Sequence, residues 1–136
     1  MIEFTIPGEA VAQGRPKFST FNGKVSVRDP KKSRDHKTYV KYLAVDVAPE
    51  KLLSGMLEAE INVYMPIPKS FSKTKRVQAL TGALRPTKKP DADNIAKAIL
   101  DSLNHIIYED DKQIVSLTVK KYYDEVPRTE VRIEEI

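Results

Sequence analysis

The segment LEAEINVYM, residues 57–65, carries the clearest strand pattern of the chain. Apolar residues occupy every second position and polar or amphipathic residues fill the others; the two sets are Leu57, Ala59, Ile61, Val63, Met65 and Glu58, Glu60, Asn62, Tyr64. Successive side chains of a strand point to opposite faces of a sheet, so this alternation predicts a strand with one apolar face. Pro66 and Pro68 are expected to end it.

The chain before this strand predicts a strand, a hairpin and a helix. IEFTI alternates and is a predicted strand that Pro7-Gly8 ends. Asn22-Gly23 is a strong hairpin signal between two strand-like arms, PKFSTF and KVSVR. Asp29-Pro30 predicts a helix start, with Asp as N-cap and Pro in the first position, and Pro49 limits the helix end.

The chain after the strand alternates helices with strands. The pattern predicts a short helix from about Ser72 to Leu80 ended by Gly82, a loop RPTKKPD, a helix NIAKAILDSLNHII, and strands QIVSLTVKKYY and TEVRIEEI. In the first of these strands Val115, Leu117 and Val119 alternate. Together the segments predict one α/β (α+β) domain over residues 1–136, with a mixed β-sheet packed against two to three helices.

Composition limits the kind of protein. The 136 residues include no Cys, which excludes disulfides and favours a cytoplasmic location. No signal peptide and no apolar run of ~20 residues is present, so no membrane contact is expected. The net charge of +4 favours a polyanionic partner, although an ordinary basic protein would have the same composition.

Acidic residues lie at both ends of the predicted 94–107 helix, within KKPDADNIAKAILDSLNHIIYEDDKQI. Asp91 and Asp93 precede it, and Asp93 is its predicted N-cap. Asp110 and Asp111 follow it, before the next strand. If that strand lies beside the helix start, Asp111 meets Asp91 and Asp93; the alternative is an ordinary turn at the Asp pair.

Clustered carboxylates suit a hard cation such as Mg²⁺, which relieves their mutual repulsion and activates water against a phosphodiester. Lys97 and Asp101 share a helix face with Asp93, opposite the stripe of Ile95, Ile99 and Leu103. Other site types lack support. A calcium loop fails at Ile95 and Ala96, and the sequence has no phosphate-binding glycine loop and no covalent nucleophile motif.

Three segments, MPIPKSFSK, TKKPDADNIAKAILDSLN and YEDDKQIV, together resemble the RusA family of Holliday junction endodeoxyribonucleases of bacteria and prophages. The resemblance implies a mixed α/β fold, a homodimer, and catalytic Mg²⁺, for which Mn²⁺ can substitute. It implies that Asp91, Asp93 and Asp111 bind the metal, with Asp110 as a possible extra ligand. It further implies that Lys97 is needed for cleavage.

The sequence thus predicts a magnesium-dependent, structure-selective endonuclease that resolves four-way DNA junctions by paired symmetric nicks in recombination and repair. It would be encoded by a bacterium or a phage and need no small-molecule cofactor. The residues expected at phosphates are Lys88, Lys89, Arg85, Arg15, Lys17, Lys73, Lys75 and Arg76. Two alternatives remain: a non-catalytic module that binds branched DNA, and a phosphotransferase acting on a small nucleotide.

The dimer interface is expected on a strand edge or on the hairpin at residues 16–27. Four apolar hairpin residues have no evident core role: Phe18, Phe21, Val25 and Val27. A four-way junction is cut in two strands, and two centres related by a two-fold axis match that symmetry.

Overall fold

A computed structural model of the chain describes residues 1–14, 17–28 and 31–136, and, within 17–28, the side chains of residues 18, 20 and 22–25. The described elements are β1 (Ile2–Pro7), β2 (Lys17–Phe21), β3 (Lys24–Arg28), α1 (Lys31–Val45), β4 (Leu57–Pro66), α2 (Lys73–Leu80), α3 (Ala92–Ser102), a 3-10 turn (Asp111–Gln113), β5 (Ile114–Asp124) and β6 (Arg128–Glu135).

Four of the strands form one mixed sheet in the order β1-β6-β4-β5. Strand β4 is antiparallel to β6 and parallel to β5, while β1 is antiparallel to β6. Strands β2 and β3 form a separate antiparallel hairpin. The predicted α+β fold, a mixed sheet with two to three helices, is confirmed, and the described residues form three.

The core lies between β4 and the helices. The predicted alternation of β4 is confirmed, because every second residue from Leu57 to Met65 is at most 6 % exposed. These side chains form one apolar cluster with the α3 stripe and with Val40 and Ala44 of α1. The burial of this face fixes the register of β4, since a one-residue slip would turn Glu58 and Glu60 inward.

Helix α3 is shorter than predicted. Its N-cap is Asp91 rather than Asp93, and it ends at Ser102 with Leu103 as C-cap. His105 then takes a left-handed backbone with φ of 65°. Ile107 lies beyond the helix and yet is fully buried, so the apolar period continues through the turn. Periodicity alone therefore extended the predicted helix to residue 107.

Strand β5 departs from simple alternation at its start. Leu57 pairs with Ile114 but Glu58 pairs with Ser116, so Val115 is the extra residue of a bulge. The side chains of Val115 and Leu117 are 60 % and 46 % exposed. Strand β5 is an edge strand of the sheet, and its start is little covered by other elements.

Helix boundaries elsewhere follow the predicted signals. The hydroxyl of Ser72 accepts the backbone N–H of Lys75 at 3.2 Å, which caps α2, and Gly82 follows this helix with φ of 83°. Helix α1 ends before Pro49, while Asp29 and Pro30, its predicted start, lie outside the described residues.

The hairpin residues predicted to lack a core role are described only in part. Phe18 and Val25 are 73 % and 66 % exposed, as a residue without a core role should be. The side chains of Phe21 and Val27 lie outside the described part. No helix within the described ranges is long and apolar enough to cross a membrane.

Tyr108→Phe should destabilise the fold by about 1–2 kcal/mol. The buried Tyr108 hydroxyl donates to the Leu100 carbonyl at 2.6 Å and so ties the turn after α3 to the helix. Urea denaturation measures the change. Tyr42→Phe, at a side chain that is 73 % exposed, is the control and should stay within about 0.5 kcal/mol of the parent. Equal losses in the two variants would contradict the assigned role of Tyr108.

Candidate functional site

The start of α3 presents two carboxylates to solvent. Asp91 is the N-cap in an extended conformation, yet its side chain makes no capping hydrogen bond. Asp93 lies in the first helical turn, where the helix dipole favours a negative charge. Both side chains are exposed. They are therefore free to bind a ligand at the helix start.

The polar face of α3 continues from these acids along the helix. Asp93, Lys97 and Asp101 are exposed, whereas Ile95 and Ile99 on the other side are buried, as predicted. The Lys37 ammonium donates to the Asp101 carboxylate at 2.9 Å. This ion pair links α1 to the far half of the α3 polar face.

The second acidic pair is built into a turn after α3. The Asp110 carboxylate accepts the backbone N–H of Lys112 at 2.9 Å, and the Gln113 side chain accepts the N–H of Asp110 at 3.0 Å. The Asp110 side chain also accepts the backbone N–H of Gln113, and this contact forms a capping box with the one from the Gln113 side chain. The backbone N–H of Asp111 donates to the Asn104 side chain at 2.9 Å, which holds the turn against the end of α3.

The two acids of this pair titrate differently. Burial, the contact with Asp110 and the charge of Asp101 raise the pKa of Asp111, and the nearby Lys97 opposes that rise. The hydrogen bond from the Lys112 backbone holds the pKa of Asp110 below its ordinary value. Asp111 therefore lies among like charges, and a cation beside it would relieve their repulsion.

In the chain, one acidic pair lies at the start of α3 and the other follows the end of α3. Strand β5 starts directly after the turn in which the Asp111 N–H donates to the Asn104 side chain, and the predicted meeting of Asp111 with Asp91 and Asp93 stays a prediction. The 11 residues of α3 span about 16 Å. Across residues 1–14, 17–28 and 31–136, no three His, Cys, Asp or Glu side chains form a group able to hold a metal ion.

The available donors still fit Mg²⁺ by type. Magnesium prefers carboxylate oxygens and often takes only one or two of them, with water completing its shell. The exposed pair Asp91 and Asp93 offers that donor set. The full set of three carboxylates from the sequence remains a prediction.

The loop before Asp91 is held in place by β5, through contacts that the sequence did not predict. The Lys121 ammonium donates to the carbonyls of Lys88 and Pro90 at 2.7 and 2.9 Å. Arg85 donates to the Lys121 carbonyl at 2.8 Å, and its guanidinium lies 4.3 Å from the Tyr122 ring centre. Lys121 pairs with the buried Val63, so it is a lysine on the covered face of β5, and that position is the signal for its role.

The predicted phosphate-binding residues differ in their surroundings. Lys88 and Lys89 are exposed on the loop, and Lys73 is exposed at the start of α2. Lys75 lies 4.5 Å above the Phe71 ring, and Arg76 pairs with Glu125 at 2.6 Å. Arg15 and the Lys17 side chain lie outside the described residues. Among the candidates whose side chains the structure describes, Lys88 and Lys89 are nearest to Asp91 in the chain.

Comparison with known proteins identifies the family. Residues 7–134 match the profile of the family described as endodeoxyribonuclease RusA. The chain belongs to the RusA family. The match spans both acidic pairs, Lys97 and Lys121, so the whole candidate site lies within the family region.

Two known proteins match the chain over very different lengths. An uncharacterized protein of Bacillus subtilis (strain 168), YqaN, is 51 % identical over 99 % of this chain and 96 % of its own length. The crossover junction endodeoxyribonuclease rusA of Lactococcus phage r1t is 43 % identical over 37 % of this chain and 39 % of its own length. Membership of the RusA family supports nuclease activity on branched DNA.

Lys121→Met should lower the rate of branched-DNA cleavage by about 10–10²-fold, mainly in kcat, because a loosened loop misplaces Asp91. Initial rates over a range of DNA concentrations separate kcat from KM. Lys120→Met removes a neighbouring exposed ammonium of the same strand and should keep nearly the parent kcat. If both variants changed only KM, Lys121 would act through its charge and not through the loop.

Proposed function

We propose that this protein is a magnesium-dependent endonuclease that resolves four-way DNA junctions by paired symmetric nicks. The observation that carries the proposal is the exposed carboxylate pair, Asp91 and Asp93, one helical turn from Lys97 and directly after a loop with two lysines. A polyanion that binds Lys88 and Lys89 would lie at these carboxylates.

Each side chain has a proposed role in phosphodiester hydrolysis. Asp91 and Asp93 would hold Mg²⁺, with Asp111 as the third ligand and Asp110 as a neighbour; Mn²⁺ would serve in its place. When bound, the ion activates water and neutralises charge on the phosphate. The Lys97 ammonium would stabilise negative charge that develops on the phosphate or on the leaving oxygen.

The loop lysines would position the DNA. Lys88 and Lys89 are exposed, and the carbonyls beside them are held by Lys121, so their backbone is fixed before DNA arrives. A prearranged cationic loop binds phosphate with less loss of conformational entropy than a free one. Phosphate contacts set register without reading sequence, which suits an enzyme that selects DNA by shape.

A junction-binding protein without cleavage is the second candidate. One observation favours it: the described acids do not form a cluster of three potential metal ligands. The two functions share the basic loop and differ in the need for Asp93 and a metal, so one experiment separates them.

The proposed experiment follows a labelled synthetic four-way junction on gels, with Mg²⁺ and with EDTA. Asp93→Asn should lower cleavage by at least ~10²-fold while the junction is still bound, because it removes a metal ligand and leaves the fold intact. Asp46→Asn, at an exposed acid after α1, is the control and should cleave like the parent.

Lys97→Met extends the same assay, with Lys41→Met of α1 as its matched exposed lysine. The first should lose cleavage and the second should keep it. Binding without nicking by the parent protein would favour the second candidate. Full nicking in EDTA would exclude the metal mechanism.

Paired nicks also call for two cutting centres, and a two-fold homodimer supplies them. The exposed Phe18 and Val25 of the hairpin and the free edge of β5 are the surfaces offered for the interface. Sedimentation equilibrium at micromolar concentration should give a dimer mass. A monomer that still makes paired nicks would contradict the dimer.

A further inference from the structure

A cavity of about 550 Å³ lies beside the candidate site and is lined in part by the loop before Asp91. We call it the loop cavity. Four segments line it: residues 9–14, the first turn of α1, the end of β4 and the loop before Asp91. The volume is within the ~300–1,000 Å³ range of small-ligand pockets.

The walls of the loop cavity are fixed by hydrogen bonds. The Gly14 N–H donates to the hydroxyl of the buried Ser33 at 2.8 Å, and that hydroxyl is 3.4 Å from the Ala12 carbonyl. The Gln13 N–H donates to the Asn94 carbonyl in the first turn of α3 at 3.1 Å. The loop that Lys121 holds also lines the cavity. The walls of the cavity are thus held by contacts to α1, α3 and β5.

The lining combines apolar surface with positive charge. The apolar residues are Ala10, Val11, Ala12, Met65, Pro66 and Pro90. Three lysines also line the cavity, Lys32, Lys88 and Lys89, against one acid among the described lining residues, Glu9. The complementary ligand therefore has a flat or apolar body and carries negative charge.

We propose that the loop cavity takes one unpaired nucleotide of the DNA, next to the phosphodiester that Asp91 and Asp93 act on. This inference rests on the proposed function. The base would lie on the apolar wall and the lysines would bind the flanking phosphates. Pro90 lines the cavity and Asp91 follows it in the chain, so the neighbouring phosphate would lie at the start of α3.

The proposal gives the protein a way to select branched DNA. Taking a base out of a stacked duplex costs a few kcal/mol, and least where stacking is already lost. Bases at a branch point have incomplete stacking, so they enter such a cavity more easily than bases of continuous duplex. The protein would then select branched DNA by the entry of a base into the loop cavity rather than by contacts to base edges.

The test uses a four-way junction with 2-aminopurine at the branch point, whose fluorescence rises when the base unstacks. The protein is Asp93→Asn, so that the DNA stays uncut. Its binding should raise the fluorescence several-fold. Adding Val11→Phe, which fills the cavity, should abolish the rise, whereas adding Val45→Phe on the exposed side of α1 should leave it unchanged.

A second variant covers the case in which Val11→Phe does not fold, as thermal melts would show. Lys32→Met with Lys89→Met alters only exposed lining charges and should reduce the fluorescence rise at saturating protein. An undiminished rise in either folded variant would overturn the proposal. So would the absence of any rise when the junction is bound.

The fate of the proposed function is read separately, from nicking by the parent protein in Mg²⁺. Nicking without a fluorescence rise would overturn the loop cavity proposal alone. A parent protein that does not nick would overturn the proposed function and, with it, this inference. In the nicking assay, Val11→Phe should lower kcat/KM by about 10²-fold, because the reacting phosphate loses its position.

Discussion

The parallel pairing of β4 with β5 is the constraint on which the rest of the molecule depends. Parallel neighbours cannot be joined by a tight turn, so residues 67–113 must carry the chain back along the sheet. Helix α3 lies on that return path and runs opposite to both strands. Its start therefore lies near the end of β4, and its end lies near the start of β5.

This path also determines which elements carry the acids of the candidate site. Asp91 lies at one end of α3, and Asp111 lies where the chain turns from α3 into β5. Between them runs the polar face with Lys97, which acts on the pKa of Asp111. Lys97 thus lies in the chain between the two acidic pairs, and its charge limits the repulsion at Asp111.

Much of the fold could be predicted because its signals are local. Alternation in 57–65 is settled by neighbouring residues, and so are the Ser72 and Gly82 ends of α2. The end of α3 was not predictable in this way, since Ile107 is buried from a turn as fully as it would be from a helix. Helical spacing of apolar residues indicates which side chains are buried. Here both the helix α3 and the turn after it place buried residues at that spacing.

The candidate site likewise has one part that local sequence predicts and another part that it does not. Asp91, Asp93 and Lys97 are close in sequence, so their spacing already placed two of them on one exposed helix face. Whether Asp111 lies near them depends on the direction of β5, which is a property of the whole sheet. Lys121 contacts loop residues that lie 31 and 33 positions before it in the chain. Patterns among neighbouring residues do not indicate such a contact.

That contact has a consequence for how the sequence can change. Lys121 binds main-chain carbonyls, and Arg85 binds the main chain of β5 in return, so residues outside 86–90 help to fix the course of the loop. The charges that the loop displays are encoded within it. The backbone path and the charge of the loop can therefore vary independently. Substitutions at Lys88 and Lys89 change the attraction for a polyanion, while contacts from the neighbouring strand still hold the backbone.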